Sequence, residues 1–485
     1  MVLLTPHQQA AFEKIRQFVQ SAHQQIFVLK GYAGTGKTTL IRFLLEWLRE
    51  TDGRVVPVLL ASTGRAAKVL EMATGATAKT VHSHIYSFNV LESEGEKAGD
   101  GWKKETTGQL ILNFELKRPP EAKNRTYLYV VDEASMLSHL KNEQNTLTRF
   151  GSGNLMLDLL DFAKGHKILF VGDPVQLPPP VGNNPFSSAL SEDFLRKNFR
   201  KEVESFELTE IHRQKAGDPI LALATRLREV VTTGQDADWE AMMNVTGPSV
   251  FKMFTQGPMI DRYLDLTKSR WDEALILTHS NKQAFYLNEM IRKKRFSGEN
   301  PRHLLEGELL MIVQNCQHIP LANGDQVFVR KVRPAGRRSG FFFLEVEVEA
   351  VHDGQVYKSL LIHDFLFRPD PNLDPERQRA LLIDFDKRAR HRGLRRNSDE
   401  YRAAMQTDDY LNALRAKFGY AVTCHKAQGG EWPNVFVNLS ETLRMLHPEI
   451  RFRWLYTAVT RAQKALFIKP VWKGPTPVRR RVRRR

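Results

Sequence analysis

Residues 26–40 read IFVLKGYAGTGKTTL, and their reading decides the fold. The apolar run Ile26–Lys30 predicts a buried strand, GYAGTGKTT (31–39) satisfies G-x-x-x-x-G-K-[ST], and Leu40–Arg49 has the length and spacing of a helix. Strand, glycine loop and helix in that order make a phosphate cradle. Backbone N–H groups of Gly31, Gly34, Thr35 and Gly36 face an anion, and the helix N-terminus adds the positive end of its dipole. Lys37 is placed to reach the β- and γ-phosphates of a nucleoside triphosphate such as ATP. The Thr38 hydroxyl is placed to ligate Mg²⁺, with Thr39 next on the same helix. An ordinary glycine-rich βα turn is the bland alternative, and the flanking strand and helix outweigh it.

Outward from this stretch, short apolar runs alternate with helix-length amphipathic segments. The runs are Val55–Ala61, Tyr127–Val131, Lys167–Val171, Ala274–Thr278, Asn434–Leu439 and Lys464–Lys469. Almost wholly apolar runs of this length predict parallel strands buried on both faces, with helices as crossovers. The expected class is α/β, doubly wound twice over. YLYVVDEAS (127–135) brings Asp132, for Mg²⁺, and Glu133, as general base, to the end of a neighbouring strand. KILFVG (167–172) runs into DPVQLPPP, where the Gln176 amide is placed to sense a γ-phosphate or orient water.

Two stretches break the rhythm. Phe88–Leu91 and Gln109–Leu116 flank a Gly-rich acidic patch and predict a β-hairpin inserted over 87–125. In FFFLEVEVEAV (341–351), Leu344, Val346 and Val348 alternate with Glu345, Glu347 and Glu349, the period of a half-buried antiparallel strand. A small antiparallel barrel or sandwich fits there. A basic stretch follows, six of the ten residues from Lys387 to Arg396 being Lys or Arg.

Composition narrows the function. The 485 residues carry 71 Lys+Arg against 55 Asp+Glu, a net charge of +16, which suggests an anionic partner. Residues 1–215 hold +3 of it and 216–485 hold +13; six arginines crowd Arg479–Arg485. Two cysteines, Cys316 and Cys424, exclude a disulfide framework and a four-cysteine zinc site, and suit a reducing cytoplasm, nucleoid-associated in a bacterium. No run of 18 apolar residues spans a membrane, and MVLLTPHQQ lacks the build of a secretory signal.

Taken in order, these pieces resemble the superfamily-one helicases, and within them the RecD-like and Dda-like branch that moves 5′ to 3′ on single-stranded DNA. LTPHQQAAF (4–12) is similar to the branch's adenine-reading motif and places Gln8 on the base. ASTGRAAKVL (61–70), KTVHSHIY (79–86), GDPVQLPP (172–179) and LTEIHRQ (208–214) resemble its next blocks, THSN (278–281) a second-domain DNA element, and LANGDQVFV (321–329) the start of an inserted SH3-like barrel. AVTCHKAQGGEW (421–432) and LYTAVTRA (455–462) resemble the last two. Where many members have Ser, Ala427 stands.

The resemblance implies two tandem RecA-like P-loop domains. The first takes 1–86 and 126–212 with the hairpin pin at 87–125. The second takes 213–322 and 418–473 with the SH3-like barrel and basic helical segment at 323–417, and 474–485 form a tail. Arg213 and Arg461 would reach the γ-phosphate from across the cleft, making hydrolysis depend on closure, and Glu431 would hold the ribose. Thr63, His82, Thr278, Asn281, Thr423 and His425 would line a DNA groove, with His279 and Lys426 as further candidates; each is as a lone residue more often a helix cap. Trp102, beside the pin's tip, would stack on the base at the fork. The expected protein is a monomeric ATP-dependent helicase acting on single strands and single-strand/duplex junctions, without a membrane. A DNA-stimulated ATPase that remodels protein–DNA complexes is the alternative, and unwinding from 5′-tailed or 3′-tailed forks separates the two.

Overall fold

The computed structural model describes all residues except 1–2, 52, 94–109, 122–124, 142–147, 180–185, 200–201, 212–217, 236, 244, 299–301, 317 and 471–485. Trp102, Arg213 and the tail Arg479–Arg485 therefore lie outside the described residues.

Each apolar run forms a strand. Among the described residues, six parallel strands build the first sheet in the order Ala78–Thr80, Val55–Ala61, Thr126–Asp132, Lys167–Gly172, Ile26–Gly31, Val203–Leu208. Five parallel strands build a second sheet: Val250–Lys252, Ala462–Lys469, Trp432–Asn438, Ala274–Thr278, Ala421–Thr423. Helices cover both, so the strands read as unbroken apolar runs; Lys167–Gly172 is buried at every position. The strand ending in Asp132 is not the immediate neighbour of Ile26–Gly31. Lys167–Gly172 lies between them, pairing with both.

The alternating segment lies in a five-stranded antiparallel sheet, ordered Val356–Ile362, Phe341–Ala350, Gln326–Arg338, Leu309–Ile312, Ala416–Phe418. Leu344, Val346 and Val348 are buried and Glu345 is exposed, as the alternation requires. Its strand Leu309–Ile312 lies upstream of residue 323, so this sheet draws on residues that sequence reading gave to the second core domain. Tyr86–Ser93 and Leu110–Leu116 pair antiparallel. A strand not expected from sequence, Thr148–Phe150, adds to Leu110–Leu116 in parallel. Leu91 and Leu382, Phe385, Ala389 and Tyr401 of the helices Pro375–His391 and Asp399–Thr407 share one apolar cluster, and the Asn397 side chain accepts from the Leu91 N–H at 2.9 Å.

The basic stretch is less free than its composition suggests. Arg388 pairs with Asp384 and Asp408, and Arg390 and Arg396 pair with Asp386. Both cysteines are free thiols. Among the described residues no helix is long and apolar enough to cross a membrane.

Candidate functional site

Parallel strands of the first sheet end at one edge, and the candidate residues collect there. Gly31 leads into the glycine loop, whose Gly34 and Gly36 have φ of 79° and 88°, and the helix Lys37–Glu50 starts directly behind. Lys37 folds back, its Nζ donating to the carbonyls of Gly31 at 2.7 Å and Tyr32 at 3.0 Å. Thr35 is fully buried with its hydroxyl on the Tyr32 carbonyl at 2.9 Å, which leaves it a structural role in shaping the loop. Gln8 belongs to a capping box on Pro6–Gln20 and donates to the Thr35 carbonyl at 3.0 Å. It thereby ties the first helix to the loop.

A cleft of about 740 Å³ opens over this edge. The first domain lines it with Gln8, Gly34, Gly36, Lys37, Thr38, Thr39, Asp132, Glu133 and Gln176, and the second with Gly430, Glu431, Arg461 and Gln463. Glu133 sits in the left-handed region at φ 50° and ψ 40°, a strained conformation for a residue with a Cβ. Its Oε2 is buried without a hydrogen-bond partner, and so is Oε1 of Gln176. Two orphaned acceptors on the wall of a polar cleft point to a ligand or water that satisfies them. Burial, then the Asp132 carboxylate, push Glu133 up to about 7, against the pull of Arg461 and Lys37. Asp132 is likewise raised by burial, and its Oδ1 accepts from the Glu133 N–H at 2.9 Å.

The second domain meets this edge through the helix Pro448–Val459 and the residues after it. Arg461 is buried, donating to the carbonyls of Thr457 at 3.0 Å and Gly430 at 3.1 Å. Tyr456 donates to buried Asp173 at 2.7 Å and accepts from the Ala33 N–H of the glycine loop at 3.3 Å. Thr457 Oγ1 accepts from the Leu177 N–H, Arg453 donates to the carbonyls of Pro174 and Gln176, and Gln428 donates to the carbonyl of Leu177. Arg65 also lines the cleft and lies 4.3 Å over the Trp432 ring. Sequence reading passed over Tyr456, Asp173 and Arg65, although each stands inside a quoted motif. Glu431 accepts from Gln463 at 3.3 Å at the cleft rim.

The groove candidates fall at the corresponding edges. Thr63 caps the helix Gly64–Thr74, accepting from the Ala66 N–H at 3.2 Å, and the exposed His82 follows the adjacent strand. In the second sheet Thr278 pairs in register with Thr423, which brings Asn281 and Thr423 to one pocket with Lys426. His425 is pushed down to about 4 by burial, with His279 beside it, so its imidazole is neutral at pH 7. Thr278 is corrected: it is fully buried and donates to the Ser280 carbonyl at 3.1 Å, so its hydroxyl shapes the turn and does not face a groove.

Known proteins match this chain in its sequence and fold. A family model described as an AAA domain matches residues 3–242, and one described as a UvrD-like helicase C-terminal domain matches 418–468; together they span more than half of the chain. The chain is 28% identical over 314 residues to the ATP-dependent DNA helicase dda of Enterobacteria phage T4, covering 64% of this chain and 61% of that protein. It is 26% identical over 449 residues to the ATP-dependent RecD2 DNA helicase of Deinococcus radiodurans, covering 92% of this chain and 47% of that protein. The chain thus spans about half to three-fifths of the length of these relatives. Among solved structures, a Pif1 helicase from Bacteroides in complex with ADP-AlF3 and ssDNA matches over 98% of this chain and 94% of its own, with 16% identity and a TM-score of 0.47. In these matches the chain is similar to superfamily-one helicases of the Dda and RecD type.

Proposed function

We propose that this chain is an ATP-dependent DNA helicase that moves 5′ to 3′ along single-stranded DNA and unwinds duplex ahead of it. One observation carries the reading: a single polar cleft draws its walls from both parallel sheets, so whatever fills it bears on their separation. The residues fit a magnesium nucleotide. Thr38 and Asp132 offer hard oxygen donors, Lys37 and Arg461 offer cations from opposite domains, and the orphaned oxygens of Glu133 and Gln176 accept from a water between them. ATP supplies the scissile phosphoryl bond, and Mg²⁺ neutralises its charge. Lys37 leaves the Gly31 and Tyr32 carbonyls to meet the phosphates, Glu133 takes the proton of the attacking water, and Arg461, with Arg213, closes the cleft. Closure shifts Thr63 and His82 against Asn281, Thr423 and His425, and alternating grips of this kind walk a strand along neutral donors. The hairpin at 87–125, carrying Trp102, splits the duplex, and the antiparallel sheet serves as the SH3-like insertion.

The reading supports a monomeric motor on single-strand/duplex junctions, with 1–86 and 126–212 as first core and 213–322 and 418–473 as second. The strand Leu309–Ile312 and the end of Ala416–Phe418 are excepted and join the inserted sheet, 323–417 supplies the rest of the inserted barrel and helices, and 474–485 form a basic arm. Strand displacement on forks with only a 5′ tail or only a 3′ tail tests it. Unwinding from the 5′ tail alone is expected. Displacement from the 3′ tail alone overturns the direction, and strong DNA-stimulated hydrolysis with no displacement on either fork favours a remodelling ATPase.

A further inference from the structure

The short strand Thr148–Phe150, which adds to the hairpin in parallel, brings one aromatic ring to the hairpin's root. Phe150 stacks on Phe114 of Leu110–Leu116, with ring centres 4.6 Å apart and planes 22° from parallel. Phe114 meets Phe88 of the opposite strand edge-on, 5.7 Å between centres. On its other side Phe150 meets the rings of His82 at 5.5 Å and Tyr86 at 5.3 Å. The ladder therefore runs unbroken from a groove candidate into both strands of the hairpin.

Hydrogen bonds fix the same root to the first core domain. Tyr86, the first residue of its strand, is buried and donates to Oδ2 of buried Asp158 at 2.6 Å. Asp158 belongs to the helix Leu155–Phe162, whose Leu159 and Phe162 pack in that domain's core. The same carboxylate accepts from the Ser152 N–H at 3.0 Å, and the Gly151 N–H donates to the Phe114 carbonyl at 2.8 Å. On the returning strand's side, the Lys117 N–H donates to the Ile85 carbonyl at 2.7 Å, and its ammonium to the carbonyls of Ser83 and His84. Burial, then Asp158, hold the Tyr86 phenol well above its ordinary range, so it stays a donor. A two-stranded hairpin is marginal in water, and as a wedge it would bend and absorb the motion it should deliver. A third strand, a stacked ladder and a buried bond to the core remove that compliance.

We propose that Phe150 and Asp158 are positioning residues for strand separation, bracing the hairpin on the first core domain beside His82 so that an advance of the single strand reaches the fork undamped. This rests on the reading of the chain as a DNA motor with 87–125 as its pin.

The test compares strand displacement on 5′-tailed forks of rising G·C content with hydrolysis of ATP stimulated by single-stranded DNA, on the full chain. A braced wedge holds an opened pair apart, whereas a loose one waits for the pair to fray, so its rate follows pair stability. Phe150→Ala should slow displacement on G·C-rich forks about tenfold, the rate equivalent of one average base-pair step, and leave A·T-rich forks and hydrolysis within about twofold of wild type. Phe150→Tyr, which keeps the stack, should match wild type. Tyr86→Phe removes only the bond to Asp158 and should shift displacement in the same sense as Phe150→Ala. If Phe150→Ala lowers the melting temperature, Tyr86→Phe carries the test on its own. Displacement that is unchanged, that slows equally on all forks, or that falls in step with hydrolysis overturns the proposal alone. A hairpin shortened by joining Ser93 to Leu110 through Asn-Gly that still displaces strand as wild type overturns the pin reading and the proposal with it. A wild type that displaces no strand from any fork overturns the unwinding motor as well.

Discussion

Glu133 combines strain, burial and an unsatisfied oxygen in one side chain. A left-handed residue with a Cβ costs about 1–2 kcal/mol, and here the turn it allows brings its carboxylate onto the cleft wall. A general base works only when deprotonated. With Glu133 raised to about 7, kcat/KM for ATP should fall about tenfold per pH unit below neutrality and level off above it. Glu133→Gln should abolish turnover. A wild-type profile flat through neutrality would remove Glu133 from this role. Tyr456 offers a second test. Its hydroxyl joins the glycine loop to Asp173, and Tyr456→Phe leaves that buried carboxylate one donor short. The expected loss in kcat/KM is about tenfold, the scale of one hydrogen bond to a charged group, with the fold intact by circular dichroism. An unchanged kcat/KM would make the contact incidental.

Elements show where sequence stops being readable. The strands were legible because parallel strands covered on both faces must be continuous apolar runs, and the glycine loop because its chemistry admits few residue types. Thr148–Phe150 was not, since three residues carry no period. Thr278 misled because a threonine at a strand end looks alike whether its hydroxyl turns outward or in to Ser280. Contacts across long separations leave no local trace either, as with Tyr456 and Asp173. The helix Asn281–Arg295 has another such contact: Arg292 bonds Glu308 at 2.5 Å and the His303 carbonyl at 2.7 Å, with both charged groups buried. Removing one partner strands the other, so Arg292→Met should cost about 3–5 kcal/mol. Calorimetry should show a midpoint lowered by roughly 10 °C, and a shift within error would mean the site relaxes around the lone carboxylate.

Across the whole molecule, the first core domain is clasped to the antiparallel sheet as well as to the second core domain. Lys68 on the helix Gly64–Thr74 bonds Asp325 at 2.5 Å and the Pro320 carbonyl at 2.7 Å, while a Cβ on Gly64 would overlap Ala322. That helix also carries Arg65 and Ala66 on the cleft wall, so loosening the clasp should be felt by the nucleotide. Lys68→Met is expected to raise KM for ATP about fivefold with kcat nearly unchanged, since the pair is part-buried and worth about 1 kcal/mol. A fall in kcat with KM constant would place the clasp on a later step. The resting positions of Lys37 and Arg461 carry a broader consequence. Each is held by main-chain carbonyls of its own domain, one on Gly31 and Tyr32, the other on Gly430 and Thr457. A small anion such as free phosphate can recruit one of them and must forfeit its existing bonds for half the return. If both hold phosphate as proposed, a polyphosphate long enough to engage both would recover the bonds each gives up, whereas free phosphate would engage only one and should compete weakly with ATP, which inhibition by added phosphate checks.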